Sequence, residues 1–136
     1  MGIREVKLSE REKQLIKKAA CLVNPKKIRG EGELKEVGCA LLTAQGEEFI
    51  GVCLDLQCGI GFCAEHTAIA QMVTQTDETH VKTIVAYSES GIIPPCGRCR
   101  ELLNLLDEKN MDTEVIIGPE QKVTLQELLP HAWEDM

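Results

Sequence analysis

The spacing of apolar residues in the first half of the chain predicts one helix followed by a β-hairpin. Ser9 and Glu12 form a capping box, and the apolar stripe that follows it predicts a helix to about Cys21. The stripe consists of Leu15, Ile16, Ala19, Leu22 and Val23. Residues 26–36 are charged and contain glycine, so they are predicted to form a loop. Strand-like runs at 37–44 and 48–55 flank a Gln-Gly-Glu turn and predict a hairpin.

The second half alternates between helix-like and strand-like patterns. Helices are predicted from Cys63 to about Thr74 and from Cys96 to about Lys109, with strands at 81–87 and 113–118. A turn at 119–122 leads to a short strand near Val123, and the capping box of Thr124 and Glu127 opens a last short helix that ends at Pro130. This order predicts an α/β fold: one domain, 1–136, built as a three-layer α/β/α sandwich around a mixed five-stranded sheet.

Composition narrows the classes of partner. The chain has 136 residues, of which 43% are hydrophobic and 27% charged, and its formal net charge is -7. Such an acidic balance disfavours nucleic acid as the main partner. No apolar run approaches the roughly 18 residues that a membrane span needs, and residues 1–5 do not resemble an export signal. Seven cysteines, an odd number, then favour a reduced cytoplasmic setting with free thiols.

Two cysteine motifs stand at the starts of two predicted helices. The first is Cys63-Ala64-Glu65, and the second is Pro95-Cys96-Gly97-Arg98-Cys99. Helix N-termini offer free N–H groups and partial positive charge, which stabilise the thiolate form that a metal binds. Three thiolates with an open fourth position are typical of a catalytic zinc site, whereas structural zinc sites usually have four protein ligands. The motifs therefore predict a catalytic Zn²⁺ held by Cys63, Cys96 and Cys99.

Glu65 is the predicted proton carrier of this site. It begins the apolar stripe of its helix, with Ala68, Ile69 and Met72 on the same face. A carboxylate on an inward face must be paired or functional, and this one can face a metal-activated water. The alternative is a closed structural zinc site that takes Cys58, Cys53 or His66 as fourth ligand, which would leave Glu65 without a role.

Positive or N–H-donating groups near the thiols would offset the negative charge of three thiolates on one dication. His66, Arg98 and Arg100 are the candidates, because they adjoin the motif residues in sequence. An Arg98→Ala variant with unchanged metal affinity and rate would count against Arg98.

The two motifs, with Val37-Gly38-Cys39-Ala40-Leu41-Leu42, Gly51-Val52 and the closing Glu127-Leu128-Leu129-Pro130, resemble the cytidine deaminase family over most of the chain. The likeness is to its small homotetrameric type. Cys-Gly-Arg-Cys-Arg and the nearby Trp133 are most similar to the blasticidin-S deaminases within that family. A zinc site with a non-ligand glutamate is typical of nucleobase deaminases. The resemblance implies that Cys63, Cys96 and Cys99 bind zinc, that activated water attacks C4 of a cytosine ring, and that Glu65 protonates N3 and the departing amine.

This chain departs from the family pattern where a ribose would bind. Cys53 and Asp55 occupy positions that usually hold Asn and Glu, and His66 replaces an Arg that hydrogen-bonds ligand sulfurs. A positively charged imidazole would substitute in part for that Arg, and activity would then fall as pH rises past its pKa. Asp55 remains a candidate for a sugar hydroxyl. Phe62 is a candidate for stacking on the base, with a core role as the alternative. Trp133 could cover a pocket, with packing at a subunit interface as its alternative.

Three functions follow, in order of preference. The first is hydrolytic deamination of cytidine or deoxycytidine by a homotetramer that takes a small molecule as its partner. The second is a blasticidin-S-like or other modified-base aminohydrolase. The third is a catalytically silent zinc protein that binds a base or serves in an assembly.

Overall fold

The computed structural model describes residues 6–133, in which helices alternate with the strands of one sheet. The elements are α1 (Glu10–Leu22), β1 (Lys26–Lys27), β2 (Glu33–Thr43), β3 (Glu48–Asp55), α2 (Ala64–Gln75), β4 (Val81–Ser88), β5 (Gly91–Ile93), α3 (Gly97–Leu106), β6 (Glu114–Gly118), β7 (Gln121–Thr124) and α4 (Leu125–Leu128). The prediction for residues 1–5 lies outside the described part. Within that part, no helix combines the length and the apolar character that a membrane span requires.

Five strands form the body of the sheet in the order β3-β2-β4-β6-β7. The β4–β6 pair is parallel and the others are antiparallel, so the sheet is mixed. The predicted strand count of five was too low, because the described residues contain two further short strands: β1 pairs with β2, and β5 pairs with β4. These strands have two and three residues, too few to show an alternating pattern, and they exist through pairing with a longer neighbour.

The loop predicted at 26–36 is partly wrong, since β2 already begins at Glu33. The register of β2 against β3 shifts between Leu34 and Gly38, and Lys35 inside that shift has φ of 62°. Such a bulge adds a residue to one strand and interrupts the alternation of inward and outward side chains. The strand is therefore invisible to a search for a period of two.

Alternate residues of β2 point into two separate cores, which confirms the three layers. Cys39 and Leu41 belong to the core beneath α2 and α3, which also holds Met72 and Leu103. Ala40 and Leu42 belong to the core beneath α1, with Leu15 and Ala19 of that helix. The site motifs thus lie in the α2–α3 layer.

The helix boundaries follow local capping chemistry. Both predicted capping boxes are present, at Ser9 with Glu12 and at Thr124 with Glu127. Helix α3 ends at Leu106 rather than Lys109, because the Asp107 side chain accepts a hydrogen bond from the Lys109 N–H and caps a short 3₁₀ turn, Glu108–Asp112.

Lys122 of β7 joins α1 to the sheet. Its Nζ lies 2.8 Å from carboxylate oxygens of both Glu12 and Glu114. Burial by itself raises the pKa of Glu12, but hydrogen bonds from Lys122 and Ser9 outweigh it and the net pKa is lowered. A lowered pKa means that the ionised carboxylate stabilises the fold above the unfolded pKa and that this contribution is lost as pH falls.

We therefore expect Lys122→Met to lower the free energy of unfolding by about 1–2 kcal/mol at pH 7, because Glu12 stays buried without its cation. As pH falls through the lowered pKa of Glu12 and the carboxylate becomes protonated, the difference from wild type should shrink. Urea unfolding at pH 7 and pH 3.5 measures both values, and Lys109→Met, at an exposed lysine, is the control. An equal difference at the two pH values would contradict the assignment.

Candidate active site

The start of α2 carries the first motif. Cys63 is its N-cap residue, and the backbone carbonyl of Cys63 accepts the His66 N–H at 3.1 Å. The Cys63 side chain makes no capping hydrogen bond, so its sulfur is free for another role. Glu65, in the first turn, points into the protein and is only 4% exposed.

The start of α3 carries the second motif in the same way. Cys96 is the N-cap residue, and its carbonyl accepts the Arg100 N–H at 3.0 Å. Cys99, three residues later, is completely buried, while Cys96 is exposed. A spacing of three residues in the first turn places both sulfurs on one side of the helix.

The two helix starts bring three sulfurs together. The Cys63 and Cys96 Sγ atoms are 3.4 Å apart, and the Cys96 and Cys99 Sγ atoms are 3.5 Å apart. Tetrahedral zinc with Zn–S bonds of about 2.3 Å places its sulfurs about 3.8 Å apart, so the three thiols fit zinc with little adjustment. Of the His, Cys, Asp and Glu side chains in the described residues, these three form the group suited to a metal, and neither Cys53, Cys58 nor His66 joins it as a fourth. The geometry favours an open zinc site over a closed one.

The thiols differ in their readiness to ionise without a metal. Burial and the neighbouring Cys96 raise the pKa of Cys63 to about 11. Burial and the negative charge of Glu65 raise the pKa of Cys99 well above its usual range. Burial would also raise the pKa of Cys96, but backbone N–H groups at the start of α3 and the other thiols stabilise its thiolate and lower the pKa overall. The helix start thus favours a thiolate at the most exposed ligand position.

Glu65 lies beside this cluster. Burial raises its pKa, and smaller opposing contributions come from its own backbone N–H and from the Cys99 thiol. A carboxyl group with a raised pKa releases and takes back a proton more readily near neutral pH than an exposed one. The position suits a proton carrier next to the sulfurs.

His66 contacts the cluster, but its surroundings do not favour the positively charged imidazole that the sequence suggested. Its Nδ1 lies 3.6 Å from the Cys99 sulfur. Burial and the positive charge of Arg98 lower the pKa of His66. A neutral imidazole is therefore favoured at neutral pH, and it can still donate an N–H to the sulfur.

Arg100 contacts the loop before the second motif through its backbone. Its Nε donates to the carbonyl of Pro95 at 2.8 Å, and its Nη1 donates to the carbonyl of Leu128 at 3.0 Å. These bonds tie the residue before Cys96 to the end of α4. Arg100 thus holds the ligand loop in place, whereas the sequence suggested that it would face the sulfurs.

A cleft of about 390 Å³ opens beside Cys63, and it brings together most of the predicted substrate residues. Cys53, Asp55, Phe62 and Arg98 line it. The segment before Cys63 is held there by a two-way backbone pairing of Leu54 with Phe62, at 3.0 and 2.9 Å. The Phe62 side chain is 36% exposed, which argues against the core role that was its alternative.

Glu36 also lines this cleft. It was missed from the sequence, because the bulge hides the pattern of its strand. Burial, together with Glu33 and Asp55, raises the pKa of Glu36.

Two other candidates from the sequence do not line the cleft. Trp133 is not among the lining residues and is 71% exposed. Cys58 is exposed on a 3₁₀ turn, where its φ is 62°.

This chain matches the model of a known protein family, and its sequence is similar to those of characterised proteins. Residues 8–114 match the family model described as the cytidine and deoxycytidylate deaminase zinc-binding region. A cytidine deaminase from Halalkalibacterium halodurans is 33% identical over 108 residues, which cover 74% of this chain and 80% of that protein. A blasticidin-S deaminase from Bacillus cereus is 33% identical over 113 residues, which cover 74% of this chain and 78% of that protein.

Solved structures share the fold. Cytidine deaminase from Mycobacterium tuberculosis superposes with a TM-score of 0.75 at 20% identity, covering 92% of this chain and 98% of that one. Cytidine deaminase from Burkholderia pseudomallei gives a TM-score of 0.72 at 24% identity, covering 93% of this chain and all of that one (100%). At such identities the likeness establishes the architecture, and the three-layer arrangement is common to all three proteins.

Proposed function

We propose, because the chain belongs to the family of zinc-dependent cytidine and deoxycytidylate deaminases, that its substrate is a cytosine nucleoside. Cytidine or deoxycytidine and water would give the uracil nucleoside and ammonia. The observation that carries the proposal is the group of three thiols beside a buried carboxylate, at the end of an open cleft.

Cys63, Cys96 and Cys99 would hold the zinc. When bound, zinc would act as a Lewis acid that lowers the pKa of its bound water to about 7. The start of α3 directs the backbone N–H groups of Arg98 and Cys99 toward the Cys96 sulfur, and the His66 ring would add a donor to Cys99. These contacts offset the charge of the three sulfurs.

Glu65 would move the protons. It would take one from the attacking water and deliver it to N3 of the ring. It would then carry the second proton of that water, from the hydroxyl newly bonded to C4, to the exocyclic amine as the C4–N bond breaks and the C4 carbonyl forms. Its burial keeps bulk water from competing for the proton, and its raised pKa brings the acid form within reach near neutral pH.

The cleft would hold the rest of the substrate. Phe62 offers an aromatic face for the pyrimidine, and Asp55 offers acceptors for a sugar hydroxyl. Cys53 is 9% exposed and gives this wall a small, weakly polar surface where the family pattern has an amide. Sugar recognition would therefore rest on Asp55.

A blasticidin-S-like substrate is the second candidate. The Bacillus cereus blasticidin-S deaminase is as similar to this chain as the Halalkalibacterium halodurans cytidine deaminase is, at 33% identity. The absence of an amide at Cys53 favours a substrate that differs from a plain nucleoside. Both candidates share the same reaction at C4.

We also propose that the protein works in the cytoplasm as a homotetramer. All seven of its cysteines are free thiols, as the reduced cytoplasm favours. The exposed side chains of Ile60, Phe62 and Trp133 would be covered in an assembly. Light scattering tests the oligomer, and a monomer would contradict it.

Turnover of a substrate panel tests the function. Zinc-loaded protein is assayed for ammonia release from cytidine, deoxycytidine, cytosine and blasticidin S. We expect kcat/KM to be highest for a nucleoside, at about 10⁴ M⁻¹s⁻¹ or more, and at least about 100-fold lower for cytosine, which lacks the sugar contacts.

The other outcomes separate the candidates. Preference for blasticidin S would replace the first candidate with the second. A stoichiometric zinc content without turnover of any cytosine compound would contradict both and support a catalytically silent protein. Guanine serves as the purine control.

A further inference from the structure

The edge strand β3 is covered by side chains of α2. Along its length, β3 pairs with β2, and apart from the Leu54–Phe62 bridge its other edge has no strand partner in the described residues. An exposed edge leaves backbone N–H and C=O groups without partners. Here the Ile50 N–H donates to Gln71 Oε1 at 3.1 Å, and Thr67 Oγ1 donates to the Val52 carbonyl at 2.8 Å.

The spacings of helix and strand match. Thr67 and Gln71 are four residues apart on one helix face, about 6 Å along the axis. Ile50 and Val52 are two residues apart on one strand edge, about 6.8 Å. A shift of α2 by one residue would break both hydrogen bonds, so the pair permits one register.

Gly51, between the two bonded residues, lets the helix lie directly on the strand. A Cβ at Gly51 would lie 2.5 Å from the Ala68 nitrogen and 2.6 Å from the Thr67 Cβ. Real Cβ atoms do not approach so closely, so the contact requires glycine. Two hydrogen bonds and a backbone contact thus fix three consecutive strand residues to α2.

We propose that Thr67 and Gln71 are positioning residues. Their hydrogen bonds to β3 set the position of α2, which holds Cys63 and Glu65, relative to β3, which holds Cys53 and Asp55. The first pair belongs to the reaction centre and the second to the substrate cleft. The α2–β3 register therefore fixes the distance between proton carrier and bound substrate. The inference rests on the proposed function for its kinetic readout.

Isosteric variants test the proposal in the zinc-loaded protein. Thr67→Val replaces the hydroxyl with a methyl group that cannot stay 2.8 Å from a carbonyl oxygen, since C···O contacts need about 3.3 Å or more. The helix must move by about half an ångström, and small misplacements of reacting groups are costly. We expect kcat per zinc-loaded molecule to fall about tenfold, with zinc stoichiometry unchanged and Thr67→Ser close to wild type.

Two matched comparisons complete the kinetic test. Gln71→Leu removes the acceptor and should lower kcat about threefold to fivefold, whereas Gln71→Glu retains it and should restore most of the rate. Thr74→Val removes a hydroxyl of the same helix that donates to Ala70 O at 2.5 Å, away from β3, and should change kcat less than twofold. Equal losses in Thr67→Val and Thr74→Val would overturn the proposal.

Hydrogen exchange supplies a readout that does not depend on turnover. In Gln71→Leu the Ile50 amide should exchange at least about tenfold faster than in wild type, while the amides of β4 keep their protection. An unchanged Ile50 amide would also overturn the proposal. If wild type deaminates no cytosine compound, the proposed function fails, and the exchange data still decide whether Thr67 and Gln71 fix the register.

Discussion

Replacing Glu65 with glutamine is expected to lower kcat by about a thousandfold while the zinc content stays near one per chain. The amide has the shape of the carboxyl group but cannot carry a proton between the water and the leaving amine, and such transfer contributes about 10²–10⁴-fold. Because Glu65 is 4% exposed, a neutral side chain also removes a buried charge and should not destabilise the fold.

Ammonia release at saturating cytidine measures the effect, with metal analysis on the same samples. Glu78→Gln is the matched control: Glu78 is half-buried, its Oε1 accepts the Gln45 N–H at 3.3 Å, and it lies outside the cleft. It should keep at least half of the wild-type rate. A Glu65→Gln protein with more than about a tenth of wild-type activity would show that another group carries the proton.

Cys96→Ser is expected to abolish activity by releasing the zinc. Structural sites bind zinc with a free energy of about 10–16 kcal/mol, which four ligands share. Each thiolate therefore contributes roughly 3–4 kcal/mol, or about 10²–10³-fold in affinity. Cys96 is exposed, so the serine variant should fold. Its midpoint of thermal unfolding should fall by about 10 °C at zinc concentrations that saturate wild type, because the stabilisation from bound ion is lost.

Metal analysis after gel filtration against a mild chelator checks this, with Cys58→Ser as the control at an exposed cysteine outside the cluster. Affinity should also rise with pH. Cys63 and Cys99 have raised pKa values and are protonated in the metal-free protein at neutral pH, so binding releases at least two protons. Zinc affinity should therefore rise about 100-fold per pH unit, after correction for the pH dependence of the chelator's own zinc affinity. Full zinc occupancy in Cys96→Ser would refute the assignment.

The helices and the body of the sheet were predictable because their signals are local. The capping boxes at Ser9 and Thr124 and the apolar spacing of α2 depend on residues within one or two turns. The start of β2 and the strands β1 and β5 were missed, because a bulge at Lys35 and pairing with distant strands create them. Gln71 gave no signal either, since a polar residue on a helix face does not reveal that it accepts a hydrogen bond from a strand.

The sequence by itself determined the chemistry: three thiols and one carboxylate at the starts of two helices. Residue type and spacing within a turn suffice for that, because three thiols with an open fourth position and a nearby carboxylate are typical of a catalytic zinc site. Only the tertiary structure decided that the two helix starts meet. Along the chain, β4 and β5 separate Cys63 from Cys96. The packing of α2 and α3 on one face of the sheet brings the two sulfurs to 3.4 Å from each other. It likewise decided that burial and Arg98 favour a neutral His66, and that Arg100 binds carbonyl oxygens, because these depend on neighbours that no local pattern encodes.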